Sequence, residues 1–219
     1  MAYIDKYGVE YSDERRAVLL RCPIDYKGEF IVPQSATTIE DGAFSHCEVL
    51  TSIQLPNGLL FIEENLFRGC INLQKIVIPN SIIAIGNGAF CECVKLEEVN
   101  LPNDRFEGVF SEIGDGAFTD CKNLKELEIP EGVTTIGDVA FMGCDNLQRL
   151  SLPSTIQKIG NRAIEDGDAI ASIDSFMKKT APKLLPSLKE IIVPKGHKQR
   201  FLEMFGEYDS DLSEIIVEK

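Results

Sequence analysis

Gly116-Ala117-Phe118-Thr119-Asp120-Cys121-Lys122-Asn123-Leu124-Lys125-Glu126-Leu127-Glu128-Ile129-Pro130 is the stretch on which the rest of the chain is patterned. It returns at Ala43–Pro56, Leu66–Pro79, Ala89–Pro102 and Ala140–Pro153, each time as Phe-x-x-Cys-x-x-Leu, two alternating aliphatic residues and a proline. The phenylalanines fall at 44, 67, 90, 118 and 141, in steps of 23, 23, 28 and 23 residues. Self-similarity at a fixed period of this length predicts a solenoid, in which each unit buries its apolar face only against its neighbours.

Each part of the unit has its own physical role. In Leu50-x-x-Ile53-x-Leu55 the last two aliphatic residues share one side, as strand alternation requires. Pro56 ends the strand because it cannot donate to a ladder. Asn57-Gly58, Asn80-Ser81 and Glu131-Gly132 turn the chain. A second apolar position follows (Ile39, Ile62, Ile85, Ile113, Ile136, Ile159). The three-residue spacing of Phe-x-x-Cys-x-x-Leu then reads as one or two helical turns. Stacked units should form a parallel sheet along one side. Seven strand-ending prolines, from Pro33 to Pro194, predict seven rungs, or about 30 Å of sheet at ~4.8 Å per rung. The crowding of strands places that sheet on the inner wall of an arc.

Two places break the period. Five extra residues fall within Asn103–Glu112, and eighteen near Glu165–Leu185. In the second insertion Ala169, Ile170, Ile173, Phe176 and Met177 share one helical face, which predicts an amphipathic helix ended by Pro182. The layout expected is a single domain, 1–219: an atypical N-terminal cap (1–34), repeats (35–164), a helical insertion (165–184), a last repeat (185–196) and a C-terminal cap (197–219). In that last segment Lys198–Phe205 has helical spacing and Leu212–Val217 reads as a final strand.

These residues resemble the BspA-like leucine-rich repeats, a bacterial subclass written around Ile-Gly-x-x-Ala-Phe-x-x-Cys-x-x-Leu-x-x-Ile-x-Ile-Pro. Ile85–Phe90, Ile113–Phe118 and Ile136–Phe141 match almost letter for letter, and the likeness covers about residues 35–164 and 184–196. It departs at Ile164, which stands where the pattern has phenylalanine. The resemblance implies a right-handed leucine-rich-repeat superhelix with the sheet on its concave side and short helical turns outside. It also implies a binding scaffold without catalysis, engaged in adhesion, with a surface or secreted location if the chain has been trimmed.

Composition narrows the partners. The net charge is −13, from 35 acidic and 22 basic residues, so phosphate polyanions are repelled and nucleic acid is excluded. No apolar run approaches the ~20 residues needed to cross a bilayer. The first residues lack the basic and apolar regions of a secretory signal, so a full-length chain is expected in the cytoplasm. Five of the seven cysteines (Cys47, Cys70, Cys93, Cys121, Cys144) occupy one slot of successive repeats. Coils ~4.8 Å apart hold such side chains beyond the ~3.8 Å Cβ separation of a disulfide, which predicts a ladder of free thiols.

Catalysis has no candidate. His46 and His197 lack the company of a zinc site, Cys91-x-Cys93 overlaps the buried ladder, and Gly86-Asn-Gly88 and Gly114-Asp-Gly116 lack the end of a phosphate loop. No cofactor or metal is expected. What remains is surface. The strand positions that point away from the core include Ser52, Gln54, Lys75, Val77, Glu98, Asn100, Glu126, Glu128, Arg149, Ser151, Glu190 and Ile192, and they vary from unit to unit. Such a wall is suited to a protein partner, with a glycan as the alternative. Phe106, Val109 and Phe110 in the first insertion either tuck onto the stack or stand out as an anchor. A monomer is expected; the competing reading is a spacer that pairs with copies of itself.

Overall fold

The computed structural model describes residues 2–103, 110–167, 183–206 and 212–219. The predicted helix near 166–180 and the positions Phe106 and Val109 lie outside these residues. Within them the chain winds into coils, each carrying one strand on either side of a shared core.

The first side holds β4 (Gly28–Ile31), β6 (Leu50–Gln54), β8 (Lys75–Val77), β10 (Glu98–Asn100), β12 (Glu126–Glu128), β14 (Arg149–Ser151), β16 (Glu190–Val193) and β17 (Ile216–Glu218). All its pairings are parallel. The rungs among the described residues are therefore eight rather than seven, because β17 joins the stack without a proline behind it. The second side is narrower and also parallel, in two ladders: β3 (Val18–Arg21) with β5 (Thr38–Ile39), then β7 (Phe61–Ile62), β9 (Ala84–Ile85), β11 (Glu112–Ile113), β13 (Thr135–Ile136) and β15 (Lys158–Ile159). At the N-terminal end β1 (Tyr3–Ile4) and β2 (Glu10–Tyr11) extend it as an antiparallel pair beyond β3. At the other end helix α1 (Lys198–Phe205) closes the stack. Arg200 fixes it there by donating to the carbonyls of Ser154 and Ile156.

The core is one column of each residue type. Phe44, Phe67, Phe90, Phe118 and Phe141 are fully buried, and their rings stack at 5.5, 5.3, 5.2 and 5.7 Å. These spacings exceed the ~4.8 Å between strands, so the sheet lies on the shorter, concave side. Phe90 and Phe118 stack as closely as the others although 28 residues separate them, so the extra residues leave the column undisturbed.

The phenylalanine segments, expected as helical turns, are chains of tight turns. Bonds such as Cys70 N–H to Phe67 C=O run from residue i to i−3, and left-handed residues interrupt them (Gly42, His46, Asn65, Gly69, Gly88, Glu92). The turns spend their other amides on the next coil. Phe44 donates to Leu66, Phe67 to Ala89, Phe90 to Ala117, Phe118 to Ala140 and Phe141 to Ala163, all at 2.8–3.1 Å. Buried backbone groups on this side are thus paired between coils, as burial requires.

The cysteine column belongs to the same scheme. All seven cysteines are free and buried. The thiols of Cys70, Cys93, Cys121 and Cys144 donate to the carbonyls of Phe44, Phe67, Phe90 and Phe118 at 3.1–3.2 Å. Cysteine is small enough for the slot and brings a weak donor with it.

Beside the second ladder, Asp115, Asp138 and Asn161 donate their backbone N–H to the side-chain oxygens of Asn87, Asp115 and Asp138. This column brings the backbones so close that only glycine fits. A Cβ at Gly160 would lie 2.2 Å from the Asp138 nitrogen, and one at Gly137 2.4 Å from that of Asp115. Gly160→Ala should therefore cost about 1–3 kcal/mol. Gly58→Ala meets nothing within 4 Å and should be neutral or stabilising by about 0.5 kcal/mol. Urea denaturation midpoints check the pair, and equal midpoints would refute the close-approach argument.

Candidate functional site

The first side presents two columns of outward residues. One runs through Glu29, Ser52, Lys75, Glu98, Glu126, Arg149 and Glu190, the other through Ile31, Gln54, Val77, Asn100, Glu128, Ser151 and Ile192, in the register of the ladder. Of the positions nominated from sequence, Lys75, Val77, Glu98, Asn100, Glu126, Glu128 and Arg149 are exposed, and Ser151 is half-buried. Strand alternation is the whole cause: Ile76, Val99, Leu127 and Leu150 between them are buried.

Charges pair along the first column. Lys75 Nζ lies 2.6 Å from Glu98 Oε1, and this ammonium holds the Glu98 carboxyl below its ordinary value. Arg149 reaches Glu126 at 3.0 Å and Glu190 at 3.7 Å. Glu128, in the second column, has no ion pair among the described residues.

The sheet is not continuous. It divides into β4–β6–β8–β10 and β12–β14–β16–β17, and among the described residues no backbone hydrogen bond joins β10 to β12. The interruption falls where the period slips by five residues, between Pro102 and Phe118. The phenylalanine column and the second ladder stay closed there, so the coils part only on the concave side. A cavity of about 370 Å³ results, lined by Val99, Asn100, Leu101, Asn103, Glu128 and Pro130. A second, of about 220 Å³, lies one step along the sheet against Glu126, Glu128, Arg149, Ser151 and Ile192. Glu128 is common to both.

Sequence reasoning nominated the exposed residues of this region but missed Val99, Leu101 and Pro130, which fall at core or strand-ending positions, and Asn103, which opens the first insertion. The 28-residue step was the one signal that could have found them. Of the two readings of Phe110, the tucked one holds: it is 5% exposed and belongs to the core, so it is withdrawn as a surface anchor.

Other groups carry little chemistry. Among the described residues no cluster of three or more His, Cys, Asp or Glu is placed to hold a metal ion. Glu165 is buried against Arg162 at 3.2 Å, and burial raises its carboxyl above the ordinary range. Among the described residues no helix is long and apolar enough to cross a membrane.

Comparison with known proteins follows the architecture. A leucine-rich repeat protein from Eubacterium ventriosum superposes with a TM-score of 0.66 at 22% identity, over 88% of this chain and 48% of its own. The T. pallidum leucine rich repeat protein TpLRR gives 0.65 at 24% identity, over 95% and 94%. The pneumococcal vaccine antigen PcpA gives 0.53 at 20%, over 100% and 48%. The chain thus spans about half the length of two of these structures. No curated protein sequence matches it. The family model of the BspA type leucine rich repeat region matches six copies, over residues 26–111 and 111–219. The chain belongs to the BspA-type leucine-rich repeat family.

Proposed function

We propose that this protein is a non-catalytic scaffold that binds another protein through its concave sheet face, centred on Glu126 and Glu128. The observation that supports this reading is the pair of adjoining cavities on that face, both lined by Glu128. The fixed letters of the repeat are spent on the core, which leaves the outward columns free to match a ligand. The leucine-rich repeat family generally serves protein interaction, and a cell-surface adhesive role is the finer form of this proposal.

Reversing both charges (Glu126→Lys with Glu128→Lys) should weaken partner capture at least tenfold without changing the free energy of unfolding by more than about 1 kcal/mol, because exposed substitutions and exposed ion pairs have small effects. Pull-down of the partner with wild type and double variant measures it. Unchanged capture would move the site off this face.

Self-association end to end is the competing reading, and the caps argue against it. The free edges of β17 and β4 run in the same direction, so two copies could in principle extend one ladder. Yet β2 and β1 stand two strands beyond the coil of β4 on the second side, while α1 fills the place beside β17. Joining the ends would drive β2 of one copy into α1 of the next. Light scattering should report a monomer.

A further inference from the structure

We infer that Cys22 and Cys47 are a redox modification site: hydrogen peroxide oxidises the pair to a disulfide that ties the N-terminal cap to the first repeat. The inference is independent of the binding role proposed above.

The repeat shows why these two thiols differ from the others. Phe44 N–H donates to Leu66 C=O and Phe67 N–H to Ala89 C=O, and Cys22 N–H donates to Ala43 C=O in the same way at 2.8 Å. Cys22 therefore stands in the phenylalanine slot of the first coil. Phe30 arrives from β4 and packs edge-on against Phe44, with ring centres 5.2 Å apart, so the ring column is closed without a ring at that slot. A small residue fills the space that is left. Alanine would serve equally; what cysteine adds is a sulfur that meets Cys47.

The thiols of Cys70, Cys93, Cys121 and Cys144 each donate to a phenylalanine carbonyl of the preceding coil at 3.1–3.2 Å. Cys47 has the corresponding carbonyl, that of Cys22, only at 3.9 Å, and the carbonyl of Pro23 at 3.6 Å. Its sulfur turns to the Cys22 thiol instead, and the two thiols are hydrogen-bonded to each other. Cysteines in one slot of successive coils run parallel and stay apart. These two leave different slots and converge, as a disulfide requires.

The pair is also divided into unequal roles. The Cys22 thiol holds Cys47 below its ordinary value, and Arg21 acts in the same sense against the effect of burial. Cys47 is thus the nucleophile and Cys22 the resolving thiol. Both are buried, but they lie at the first end of the sulfur column, beside the exposed turn at Ile24 and Asp25. Asp5 and Tyr11 of the cap lie close to Cys22. Short end elements such as β1 and β2 open locally at small cost, which admits a molecule of this size. The Cys47 thiolate attacks one peroxide oxygen: an S–O bond forms, the O–O bond breaks, and the departing hydroxide becomes water with the proton that Cys47 released. The Cys22 sulfur then attacks that of Cys47: the S–S bond forms, the S–O bond breaks, and the hydroxide leaves as water with the Cys22 proton. The two thiols lose two electrons and the peroxide gains them.

The test treats the folded, reduced protein with hydrogen peroxide, alkylates the remaining thiols after unfolding, and digests with trypsin in the absence of reductant. Cleavage at Arg21, Lys27 and Arg68 leaves Cys22 in peptide 22–27 and Cys47 in peptide 28–68, each without another cysteine. The expected product is these two peptides joined, lighter than their sum by two hydrogen atoms and parted by dithiothreitol. Alkylation of Cys47 should be lost about tenfold or more faster than that of Cys93, whose thiol burial keeps protonated. The cross-link spans 25 residues, so the oxidised protein should unfold at higher urea than the reduced one. Cys22→Ala should abolish the joined product and leave Cys47 to proceed to sulfinic acid. The wild-type peptide map decides the matter even where that variant does not fold. No joined peptide from the folded protein, another pair of cysteines joined first, or a cross-linked protein that unfolds at lower urea would overturn the inference.

Discussion

Raising the pH from 8 to about 10.5 should remove most of the protein's stability, and the cysteine column is the reason. Burial pushes the thiols of Cys70, Cys93, Cys121 and Cys144 well above their ordinary value. In the unfolded chain the same thiols lose their protons near pH 8.5. Above that pH the unfolded state binds fewer protons than the folded one, so stability falls as pH rises, and the loss continues until the folded thiols ionise. Each contributes roughly 1.4 kcal/mol per pH unit, or about 5.5 kcal/mol per unit for four. Two units above the unfolded value the loss, about 11 kcal/mol, is comparable with the whole stability of a domain. Below pH 8 the column costs nothing. Urea titrations under reducing conditions at a series of pH values will show this, and Cys121→Ser should flatten the slope by about a quarter. A midpoint that stays level between pH 8 and 10 would be incompatible with the buried ladder.

Phe118→Ala should be the most damaging single substitution among the aromatic residues. Its ring is fully buried between those of Phe90 and Phe141, at 5.2 and 5.7 Å, and is nearly parallel to both. Removing it opens a cavity in the middle of the stack, which costs about 3–5 kcal/mol, and breaks two ring contacts of about 0.5–1.5 kcal/mol each. Phe61 provides the comparison. It lies on the second ladder but is 45% exposed, so Phe61→Ala should change stability by less than about 1 kcal/mol. Denaturation midpoints of the two variants decide the matter. Equal losses would mean that the stack does not bear the stability assigned to it.

Most of this architecture is legible in the residues because the repeat states it several times. The phenylalanine and cysteine columns, the outward positions of the strands and the terminal helix at Lys198–Phe205 each follow from spacing alone. What escapes is whatever depends on a neighbour in space. The turns at Phe67–Cys70 have the three-residue spacing of a helix, yet their amides are drawn to the next coil, and spacing cannot show that competition. β17 joins the ladder without the proline that marks the other rungs, so counting prolines misses it. β1 and β2 are two residues long, too short to alternate. The break in the concave sheet shows only as a slipped period, because the bonds that fail to form between β10 and β12 belong to residues that look ordinary in the sequence. Whether Phe110 tucks in or stands out was open for the same reason: its burial is decided by the coils around it.

The cross-coil bonds also govern how such a molecule can change length. The donors that tie coils together, whether strand amide, turn amide, Asx amide or thiol, find their acceptors on the coil immediately before or after. Excising or duplicating one entire winding would therefore leave matching partners on both flanks, whereas removing half of one would orphan a row of buried groups. Size in this lineage is quantised, and evolution can lengthen or shorten the concave wall by whole increments without redesigning what lies beneath it.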